Sequence, residues 1–458
     1  MLQHFERNSG NDRALLAMAK GKGFKVIEGS VTAPKGFRAG AVFCDIKKLG
    51  TGKGSNKGQK RDLAILISDA PAAVAGMFTT SRVCAAPVKV SLKRAALPTA
   101  RAIVANSGNA NACTGKQGLK DAEEMTRLTA KQLGVEVDEV LVCSTGRIGV
   151  AMPMENVARG IESAAKILQP SKEAGDQFAE AIMTSDTRPK QIAVELTIGG
   201  KTVRIGGACK GAGMIQPGMS RTGARPAAGL HATMLGFVTT DAAIEHKTLK
   251  DCLEKAVARS FNRISVDGDM STNDTVIVLA SGLAGNAALK KRSEELPAFQ
   301  EALNHVTLEL AKMIVKDGEG VTRFVTLHVG GDSGRDVELA ARAVANSALV
   351  KTSWFGGDPN WGRIMGALGY SGAKFKEEQV SIGYRIPGSN KIIYAVEGGM
   401  PTNTPFSELC KCVAEKEIEI FIDLSVGKYV TTLYTTDLTE EYVDFNKGDV
   451  TDPSSLGG

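Results

Sequence analysis

The sequence predicts an α/β fold in which helices and strands mix without a regular strand–helix–strand repeat. Short apolar runs of strand length alternate with longer stretches whose apolar residues recur at helical spacing. Glycine accounts for 51 of the 458 residues, which indicates many tight turns and close backbone approaches. This length allows two or three domains, or one large unit with two lobes.

The first half of the chain alternates apolar runs with helical patterns. The predicted strands are 63–67, 102–105 and 139–143. The predicted helices are 120–133, 157–168 and 176–183. Two further strand-like runs flank Gly199 and Gly200, and a glycine pair in this setting is typical of a β-hairpin. These two runs are 192–198 and 202–205.

The second half is richer in strands, and no internal repeat or low-complexity linker interrupts it. The predicted helices are 248–260, 297–315, 336–350 and 407–415. The predicted strands are 275–280, 323–329, 379–383, 392–397, 418–423 and 428–434. Strands and helices therefore continue to mix up to the C-terminal region.

Composition limits the classes of function. The net charge of +6 arises from 56 basic and 50 acidic residues that are interleaved, as on a solvated surface. An aromatic content of 5% argues against a stacking platform for single-stranded nucleic acid. No apolar run reaches the roughly 18–20 residues of a membrane span. The eight cysteines lack a CxxC pair, which favours reduced thiols in an intracellular protein. Residues 1–30 are expected to form a flexible lead-in, and the protein is expected to be cytoplasmic.

The sequence lacks the common metal, hydrolase and nucleotide motifs. Its five histidines form no HExxH or HxxxH pattern, and no GxSxG motif occurs. The Gly/Lys-rich segment 48–61 lacks the GxxxxGK[ST] spacing, so a solvated connection is favoured over a phosphate site. The acidic segment 267–274 lacks the glycine and glutamate of an EF-hand loop, so a structural turn is expected there. Neither a metal nor a cofactor is predicted.

Segment 229–237, GLHATMLGF, lies near the middle of the chain and leads from small residues into an apolar strand. A threonine at such a junction, here Thr233, becomes an N-terminus if the bond before it breaks. Its hydroxyl then lies beside its own amine, which places a nucleophile and a base on one residue. On this segment alone, an ordinary strand start remains the alternative.

Several polar, glycine-rich loops adjoin the predicted strands. They expose backbone N–H groups and small amide or hydroxyl side chains, which suit an oxyanion or a carboxylate. Turn formation alone explains any single one of them, but together they favour an enzyme that acts on a small molecule. They lie at 106–115, 143–146, 209–215, 316–320 and 355–363.

A series of longer motifs follows one another between about residue 31 and residue 451. They are VTAPKGFRAG (31–40), NSGNANACTG (106–115), STGRIG (144–149), TSDTRPK (184–190), KGAGMI (210–215), HATML (231–235), SFNRISVDGDMSTNDT (260–275), KDGEG (316–320), DPNWGR (358–363) and GYSG (369–372). In this order they resemble the ornithine acetyltransferase family of arginine biosynthesis, also called bifunctional glutamate N-acetyltransferase.

The resemblance implies a precursor that cleaves its own backbone before a threonine, here at the Ala232–Thr233 bond. The Thr233 hydroxyl attacks the preceding carbonyl in an N-to-O acyl shift, and hydrolysis of the ester frees an amine. An unperturbed α-amine titrates at about 7.7–8.0, which suits a general base. Cleavage gives an α segment, 31–232, which follows the lead-in, and a β segment, 233–458. The implied fold is a self-cleaving, Ntn-like layered sandwich of helices and mixed sheets with a second, smaller α/β lobe.

The resemblance also assigns roles to individual residues of this sequence. Thr145 and Gly146 correspond to the oxyanion hole, which the Thr145 hydroxyl and a backbone N–H supply. Lys210 corresponds to a lysine that holds substrate or tunes the amine beside the nucleophile; a surface lysine in a turn is the alternative from the sequence alone. The remaining substrate contacts of the family correspond to Thr187, Glu319, Asn446 and Thr451. Thr184 lies close enough to Thr187 to be an alternative.

Two features depart from the family pattern. The stretch from Lys210 to Thr233 is longer than usual, and the additional residues lie in the basic, glycine-rich loop 218–231. Loops tolerate insertions at little cost in free energy, so this loop is expected to bulge outward; slower cleavage and later trimming are the alternatives. Arg147 replaces a small apolar residue beside the oxyanion loop, and it either alters substrate preference or faces solvent.

The implied reaction is a ping-pong acetyl transfer. Thr233 takes the acetyl group of N2-acetylornithine and releases ornithine, and glutamate then accepts the acetyl group. Bifunctional members also use acetyl-CoA as a donor, a point that the sequence leaves open. The two segments should stay associated, as a heterotetramer or a larger assembly, with neither nucleic acid nor membrane as a partner.

Three other functions are compatible with the residues. An amidase or aminopeptidase on a related self-cleaving scaffold would use water as the acceptor. An uncleaved, inactive homologue would only bind a metabolite or a partner. A phosphate-binding protein would use segment 48–61.

Overall fold

Two mixed sheets organise the chain, one in each of two units. A computed structural model describes residues 23–47, 60–223, 234–386 and 388–447. The larger unit is built from Gly23–Asn262 and Asp269–Asp317, and the smaller from Arg263–Gly268 and Gly318–Phe445. The predicted α/β class with a second, smaller α/β unit is therefore confirmed.

Within the described ranges, the sheet of the larger unit has nine strands. They are β1 (Phe24–Ile27), β2 (Phe37–Val42), β3 (Leu63–Phe78), β4 (Thr99–Asn109), β5 (Val140–Arg147), β6 (Lys190–Ile198), β7 (Lys201–Lys210), β8 (Leu235–Thr240) and β9 (Thr275–Ala280). Their order is β1-β6-β7-β8-β9-β3-β4-β5, with β2 paired to β3. The pairs β4–β5 and β8–β9 are parallel, whereas the other pairs are antiparallel.

Helices cover both faces of this sheet. Leu63 of β3 enters one core and its neighbour Ala64 enters the other, because successive side chains of a strand point to opposite faces. Burial on both faces explains why this run is apolar throughout rather than alternating. The helices are α1 (Ala86–Arg94), α2 (Gly115–Leu133), α3 (Met154–Lys166), α4 (Lys172–Ala181), α5 (His246–Arg259) and α6 (Leu296–Lys316).

The helices form layers against particular strands. Residues of α2 and α3 share the core of Leu63, and residues of α4 share the core of Ala64. Phe178 of α4 meets Phe237 of β8 edge to face, with ring centroids 5.3 Å apart. Helix α6 packs on β6 and β7. It has a proline in its first turn, and its buried residues recur at helical spacing. The predicted layered arrangement is thus confirmed.

The predicted hairpin of the larger unit is formed by β6 and β7. Gly199 and Gly200 link the two strands with φ angles of +55° and +72°. Two successive positive φ angles are what a tight hairpin turn of matching twist requires, and glycine adopts them without steric cost. Ile198 pairs with Lys201 across the turn, so the register follows directly from the two-glycine loop.

Strand β8 occupies a central position between β7 and β9. Its first residue, Leu235, pairs with Lys210 at the end of antiparallel β7 and with Thr275 at the start of parallel β9. All six residues of β8 are buried. The start of β8 is therefore fixed from both sides by backbone hydrogen bonds.

The smaller unit packs helices against a six-stranded sheet in the described part of the chain. Its strands are β10 (Phe324–Gly331), β11 (Ser381–Arg385), β12 (Ile392–Glu397), β13 (Met400–Pro401), β14 (Glu417–Asp423) and β15 (Tyr429–Thr436). Its helices are α7 (Gly334–Asn346), α8 (Ala348–Phe355), α9 (Trp361–Gly369), α10 (Phe406–Val413) and α11 (Glu440–Phe445). The sheet order is β13-β12-β11-β14-β10-β15, with β10–β14 as the parallel pair.

One predicted helix, 336–350, proves to be two. Ser347 leaves the helical conformation with a ψ of 114°, and its Oγ accepts the N–H of Val350 to cap the next helix. Serine is a favourable N-cap because its side chain satisfies a free N–H of the first turn. The apolar pattern runs through this position without a change of period, so the pattern alone did not reveal the break.

The first residues of loop 218–231 are packed rather than projecting. Gly218 and Met219 are buried, and Met219 exchanges hydrogen bonds with the Asn262 side chain at 3.0 and 3.1 Å. Ser220 forms a two-way backbone bridge with Phe78. The expected outward bulge is therefore wrong for residues 218–220, while 224–231 lie outside the described residues. Segment 48–61, apart from its last two residues, also lies outside them. None of the described helices is long and apolar enough to cross a membrane.

Candidate active site

The predicted oxyanion residues, Thr145 and Gly146, lie at the end of β5, beside the end of parallel β4. Gly146 has a φ of +130°, a conformation that residues with side chains rarely adopt. A Cβ atom there would lie 2.4 Å from the carbonyl carbon of Gly108. The two backbones approach so closely that only glycine fits, which fixes the peptide groups of this loop.

A buried polar network holds the same loop from below. The Oγ of Ser144 donates to Oδ1 of Asn106 over 2.6 Å. The Nδ2 of Asn273 donates to the carbonyl oxygens of Ser144 and Ala110, over 2.8 and 2.7 Å. These three polar side chains are buried, so each hydrogen bond acts in a medium of low polarity. The network joins the ends of β4 and β5 to the segment before β9.

Lys210 at the end of β7 reaches the hydroxyl of Thr145. The distance from Nζ to Oγ1 is 3.2 Å, and the two residues are only 2% and 1% exposed. An ammonium group has donors and no acceptor, so the Thr145 oxygen is the acceptor in this bond. The hydroxyl hydrogen of Thr145 is not used in it and can be donated to a negatively charged oxygen. The sequence-based alternative of a surface position for Lys210 is therefore wrong.

Buried ion pairs lie behind Lys210. Lys190 places Nζ 2.6 Å from Oδ1 of Asp186 and 2.5 Å from Oδ2 of Asp317. Burial alone would raise the pKa of the Asp186 carboxyl, but the charges of Lys190 and Lys210 and the N–H of Gly211 hold it well below its usual range. Asp186 is therefore a carboxylate at neutral pH, and Lys210 has a buried negative charge near its ammonium.

Thr187 is bound to the same cluster. Its backbone N–H donates to Oδ2 of Asp317 over 3.1 Å, and its hydroxyl donates to Oδ1 of the same carboxylate. Thr187 is itself exposed. Thr184, the alternative to it, donates its N–H to Asp186 over 2.9 Å. The structure therefore links Thr187 to Lys210 through a chain of buried charges.

The start of β8 carries one further contact with a carboxylate. The N–H of Met234 donates to Oδ1 of the fully buried Asp274. Thr275, the next residue, donates its N–H to the Met234 carbonyl over 3.0 Å. Both the N–H and the carbonyl of Met234, the residue after Thr233, are therefore hydrogen-bonded.

The structure places three other predicted residues as follows. Glu319 belongs to the smaller unit and is half-buried in the turn between α6 and β10. Asn446 is exposed and follows α11. Arg147 is half-buried at the end of β5, and its carbonyl accepts the N–H of Ala110. Three predicted residues lie outside the described ones, namely Ala232, Thr233 and Thr451.

Several residues of the site were not predicted from the sequence. Asp186, Lys190, Asn273 and Asp274 lie inside motifs that the resemblance used, yet no role was predicted for them. Asp274 lies in the segment predicted as a structural turn. The available signal was their polarity next to apolar strands, which marks polar residues that the fold buries. Which residues pair could not be seen, because the partners are far apart in the chain.

The fold and the site together define an α/β enzyme that holds a buried ammonium and a hydroxyl donor beside the start of a central strand. Among the described residues, no group of three or more His, Cys, Asp or Glu side chains could hold a metal ion. The model of the ArgJ family matches residues 45–449. The chain belongs to the ArgJ family.

Two relatives agree with this assignment by their sequences. The chain is 47% identical over 421 residues to the arginine biosynthesis bifunctional protein ArgJ of Symbiobacterium thermophilum, covering 92% of this chain and 98% of that one. It is 46% identical over 430 residues to the glutamate N-acetyltransferase of Methanocaldococcus jannaschii, with the same coverage of 92% and 98%. The crystal structure of ornithine acetyltransferase complexed with ornithine from Mycobacterium tuberculosis is 35% identical, with a TM-score of 0.39, covering 43% of this chain and 100% of that one.

Proposed function

We propose that this enzyme cleaves its own backbone between Ala232 and Thr233 and then uses Thr233 to move an acetyl group from N2-acetylornithine to glutamate. As a member of the ArgJ family, the chain is an N-acyltransferase of arginine biosynthesis. The main structural support for this proposal is the hydrogen bond from Lys210 to Thr145. It puts a buried charge and a hydroxyl donor beside the strand that begins two residues after Thr233.

Cleavage proceeds by acyl transfer within the backbone. The Thr233 hydroxyl loses its proton and attacks the carbonyl carbon of Ala232, and the C–N bond between the two residues breaks. The acyl group then rests on Oγ as an ester, while the nitrogen receives the proton that Oγ lost and becomes a free amine. Water hydrolyses the ester, which gives a carboxylate on Ala232 and an N-terminal Thr233 with its hydroxyl restored.

Acetyl transfer uses the same hydroxyl in two half-reactions. The Thr233 amine takes the proton from Oγ as this oxygen attacks the acetyl carbonyl of N2-acetylornithine. The bond between the acetyl carbon and the ornithine nitrogen then breaks, and this nitrogen takes the same proton as ornithine leaves. In the second half-reaction, the α-amine of glutamate attacks the acetyl-threonine ester. The C–O bond breaks, Oγ is protonated again, and N-acetylglutamate is released.

Both half-reactions pass through a tetrahedral intermediate with a negative oxygen. The Thr145 hydroxyl and the Gly146 N–H are the proposed donors to it, and Lys210 supplies a positive charge behind Thr145. Donors fixed before the reaction need no reorganisation, and the loss of one typically costs about 3 kcal/mol of transition-state stabilisation. The close packing of Gly146 on Gly108 and the Asn273 network support such rigidity.

Substrate recognition is assigned to residues that bear complementary groups. Thr187 and Lys210 are proposed to contact substrate from the larger unit, where the buried charge cluster links them. The Glu319 carboxylate suits an ammonium group of the substrate. Asn446 and Thr451 are the proposed contacts from the C-terminal region.

The segments 31–232 and 233–458 are proposed to remain associated after cleavage. The last described strand before the cleavage site, β7, pairs with the first described strand after it, β8, over six residue pairs. Breaking one peptide bond leaves this pairing and the surrounding core intact. Assembly into a heterotetramer, acceptance of acetyl-CoA as a second donor and a cytoplasmic location remain predictions from the resemblance.

A denaturing gel with N-terminal sequencing tests the proposed cleavage. The wild-type protein should give two chains, the second of which begins Thr-Met-Leu-Gly-Phe. Thr233→Ala should give a single chain, and Thr233→Ser should still be cleaved because it keeps the hydroxyl. A single band from fully active wild-type protein would refute the proposal.

A product assay separates transfer from hydrolysis. With N2-acetylornithine and glutamate, the enzyme should form N-acetylglutamate in a one-to-one ratio with ornithine. An amidase would instead release acetate at the same rate whether or not glutamate is present. Membership of the ArgJ family favours the first result.

A further inference from the structure

We propose that Asp186, Lys190 and Asp317 act together as a positioning cluster for acetyl transfer, holding Lys210 and Thr187 at a fixed separation. This inference rests on the function proposed above, since it assigns a use to residues that support the site. None of the three is proposed to touch substrate. Each acts through a residue that does.

The Lys210 end of the cluster is organised by Asp186. Its Oδ1 accepts both the Lys190 ammonium, over 2.6 Å, and the backbone N–H of Gly211, over 2.7 Å. Gly211 directly follows Lys210, and its φ of +150° ends the strand sharply. The carboxylate thus fixes the backbone next to Lys210 and places a buried negative charge near the ammonium that meets Thr145.

The Thr187 end is organised by Asp317, at the C-terminal end of α6. Its two carboxylate oxygens accept the N–H and the hydroxyl of Thr187, one each. A bidentate contact of this kind restricts the rotation of the threonine side chain about its χ1 bond. Oδ2 also accepts the ammonium of Lys190, which therefore bridges the two ends of the cluster.

The burial of these charges indicates a role beyond stability. The side chains of Asp186, Lys190 and Asp317 are 0%, 1% and 4% exposed. Replacing a buried ion pair by apolar residues of similar volume is often neutral or stabilising. If only stability were needed at this place, apolar side chains would suffice. Charged side chains of defined geometry can in addition fix the separation of Lys210 and Thr187.

Three further titratable groups interact with the cluster or lie beside it. Lys47 interacts electrostatically with Asp186 from the segment after β2. Arg188 lies 3.9 Å from Asp317 but is largely exposed, so solvent screens it. The buried Cys209 thiol next to Lys210 has a raised pKa because of burial, and it stays neutral. Asp186 is therefore a buried counter-charge of Lys210.

The direct test compares Asp186→Asn with Asp241→Asn in the full-length, cleaved enzyme. Asp241 is the matched control, because it is buried and accepts the backbone N–H groups of Lys35 and Arg204. It follows the far end of β8, on the order of 20 Å along the strand from Met234. Asn keeps an oxygen acceptor at both positions and removes the charge.

Asp186→Asn should lower kcat for acetyl transfer by about 10-fold to 100-fold, as expected for a misplaced group in the site. It should also move the alkaline limb of the pH–rate profile to lower pH, because the Lys210 ammonium loses the nearby negative charge of Asp186. Asp241→Asn should leave both quantities within twofold of the wild type. The proposal would be overturned if Asp186→Asn had the same kcat as Asp241→Asn and kept the pH profile of the wild type.

A second pair of variants separates positioning from charge balance. Asp186→Asn combined with Lys190→Met removes one charge of each sign and should recover thermal stability. If the cluster positions Lys210, kcat stays low in this double variant; if it only balances charge, kcat returns with stability. Asp317→Asn should mainly raise KM for the acetyl donor, by about 5-fold or more, since Thr187 loses its bidentate partner.

These results are distinguishable from a failure of the proposed function. If the wild-type enzyme neither cleaves itself nor transfers acetyl groups, the proposed function fails before any variant is compared. If the wild type does both, and neither Asp186→Asn nor Asp317→Asn changes kcat, KM or the pH profile, only the positioning cluster is refuted. If Asp186→Asn does not fold, Asp317→Asn provides the same decision through its KM.

Discussion

Asp274 holds the N–H of Met234, the residue directly after the proposed nucleophile, at a donor–acceptor distance of 2.5 Å. The acceptor is a side-chain oxygen of a fully buried aspartate, so this hydrogen bond acts in a medium of low polarity. The carbonyl of Met234 is held in turn by Thr275. The backbone that enters β8 is thus anchored at the place where self-cleavage is proposed to occur.

The first prediction concerns this anchor. Asp274→Ala should slow self-cleavage by at least about 10-fold, because the chain after the scissile bond loses a fixed orientation. The fraction of uncleaved chain, followed on a denaturing gel after synthesis, measures the effect. Asp274→Asn keeps an oxygen acceptor and should be cleaved faster than Asp274→Ala. Equal cleavage by the wild type and both variants would show that this hydrogen bond has no part in maturation.

The second prediction concerns the oxyanion donor. Thr145→Ala should reduce kcat by about 100-fold to 1,000-fold, the usual effect of removing one such donor. Thr145→Ser keeps the hydroxyl and should retain most of the activity. The control is Thr129→Ala, which removes another buried hydroxyl, bonded to a carbonyl within α2. A similar loss in Thr145→Ala and Thr129→Ala would point to stability rather than catalysis.

The third prediction uses the close approach of two backbones. Gly146→Ala should abolish acetyl transfer, since its Cβ would lie 2.4 Å from the carbonyl carbon of Gly108. Gly149→Ala is the matched control, because Gly149 also has a positive φ but no atom within 4 Å of the added Cβ. Its backbone strain should cost only about 1–2 kcal/mol. Activity assays and melting temperatures of both variants test the difference, and a fully active Gly146→Ala would contradict it.

Local patterns of the sequence were sufficient for much of the fold. The hairpin at Gly199–Gly200, the buried start of β3 and the long helix α6 were predicted because turn chemistry and hydrophobic period are local properties. The helix break at Ser347 was missed, since a capping serine leaves the apolar spacing unchanged. Strands β1 and β2 were missed as well, because they are short and their strand character comes from pairing with β6 and β3.

The site was predicted only in part. Thr145, Gly146 and Lys210 came from resemblance to a family, and the Lys210–Thr145 contact spans 65 residues of sequence. The bond between Thr187 and Asp317 spans 130 residues. No local rule specifies such pairs, because they depend on which strands become neighbours in the sheet. Asp186, Lys190 and Asp317 therefore became visible only with the structure.

The fourth prediction concerns the pH dependence of stability. Burial raises the pKa of Asp423, in β14, to about 7, well above the ordinary value for aspartate. The protonated form is therefore favoured by folding, so this contribution is present below pH about 4 and is lost as pH rises through 7. Its size is about 2 kcal/mol or less, since the side chain retains some contact with solvent.

Melting temperatures at pH 5 and pH 8 test this contribution. Asp423→Asn cannot ionise, so it should be less sensitive to this change of pH than the wild type, and more stable than it at pH 8. Glu397→Gln, at an exposed carboxylate of β12, should keep the wild-type dependence. If the melting temperature of Asp423→Asn changes between pH 5 and pH 8 by as much as that of the wild type, the assignment of this contribution to Asp423 is contradicted.

The most direct measurement is mass spectrometry of the enzyme after incubation with N2-acetylornithine in the absence of glutamate. The proposed mechanism predicts a peptide that begins at Thr233 and carries one acetyl group on its hydroxyl, and this group should disappear when glutamate is added. An unbroken chain through residues 232 and 233 in active enzyme, or an acetyl group on a different residue, would contradict it.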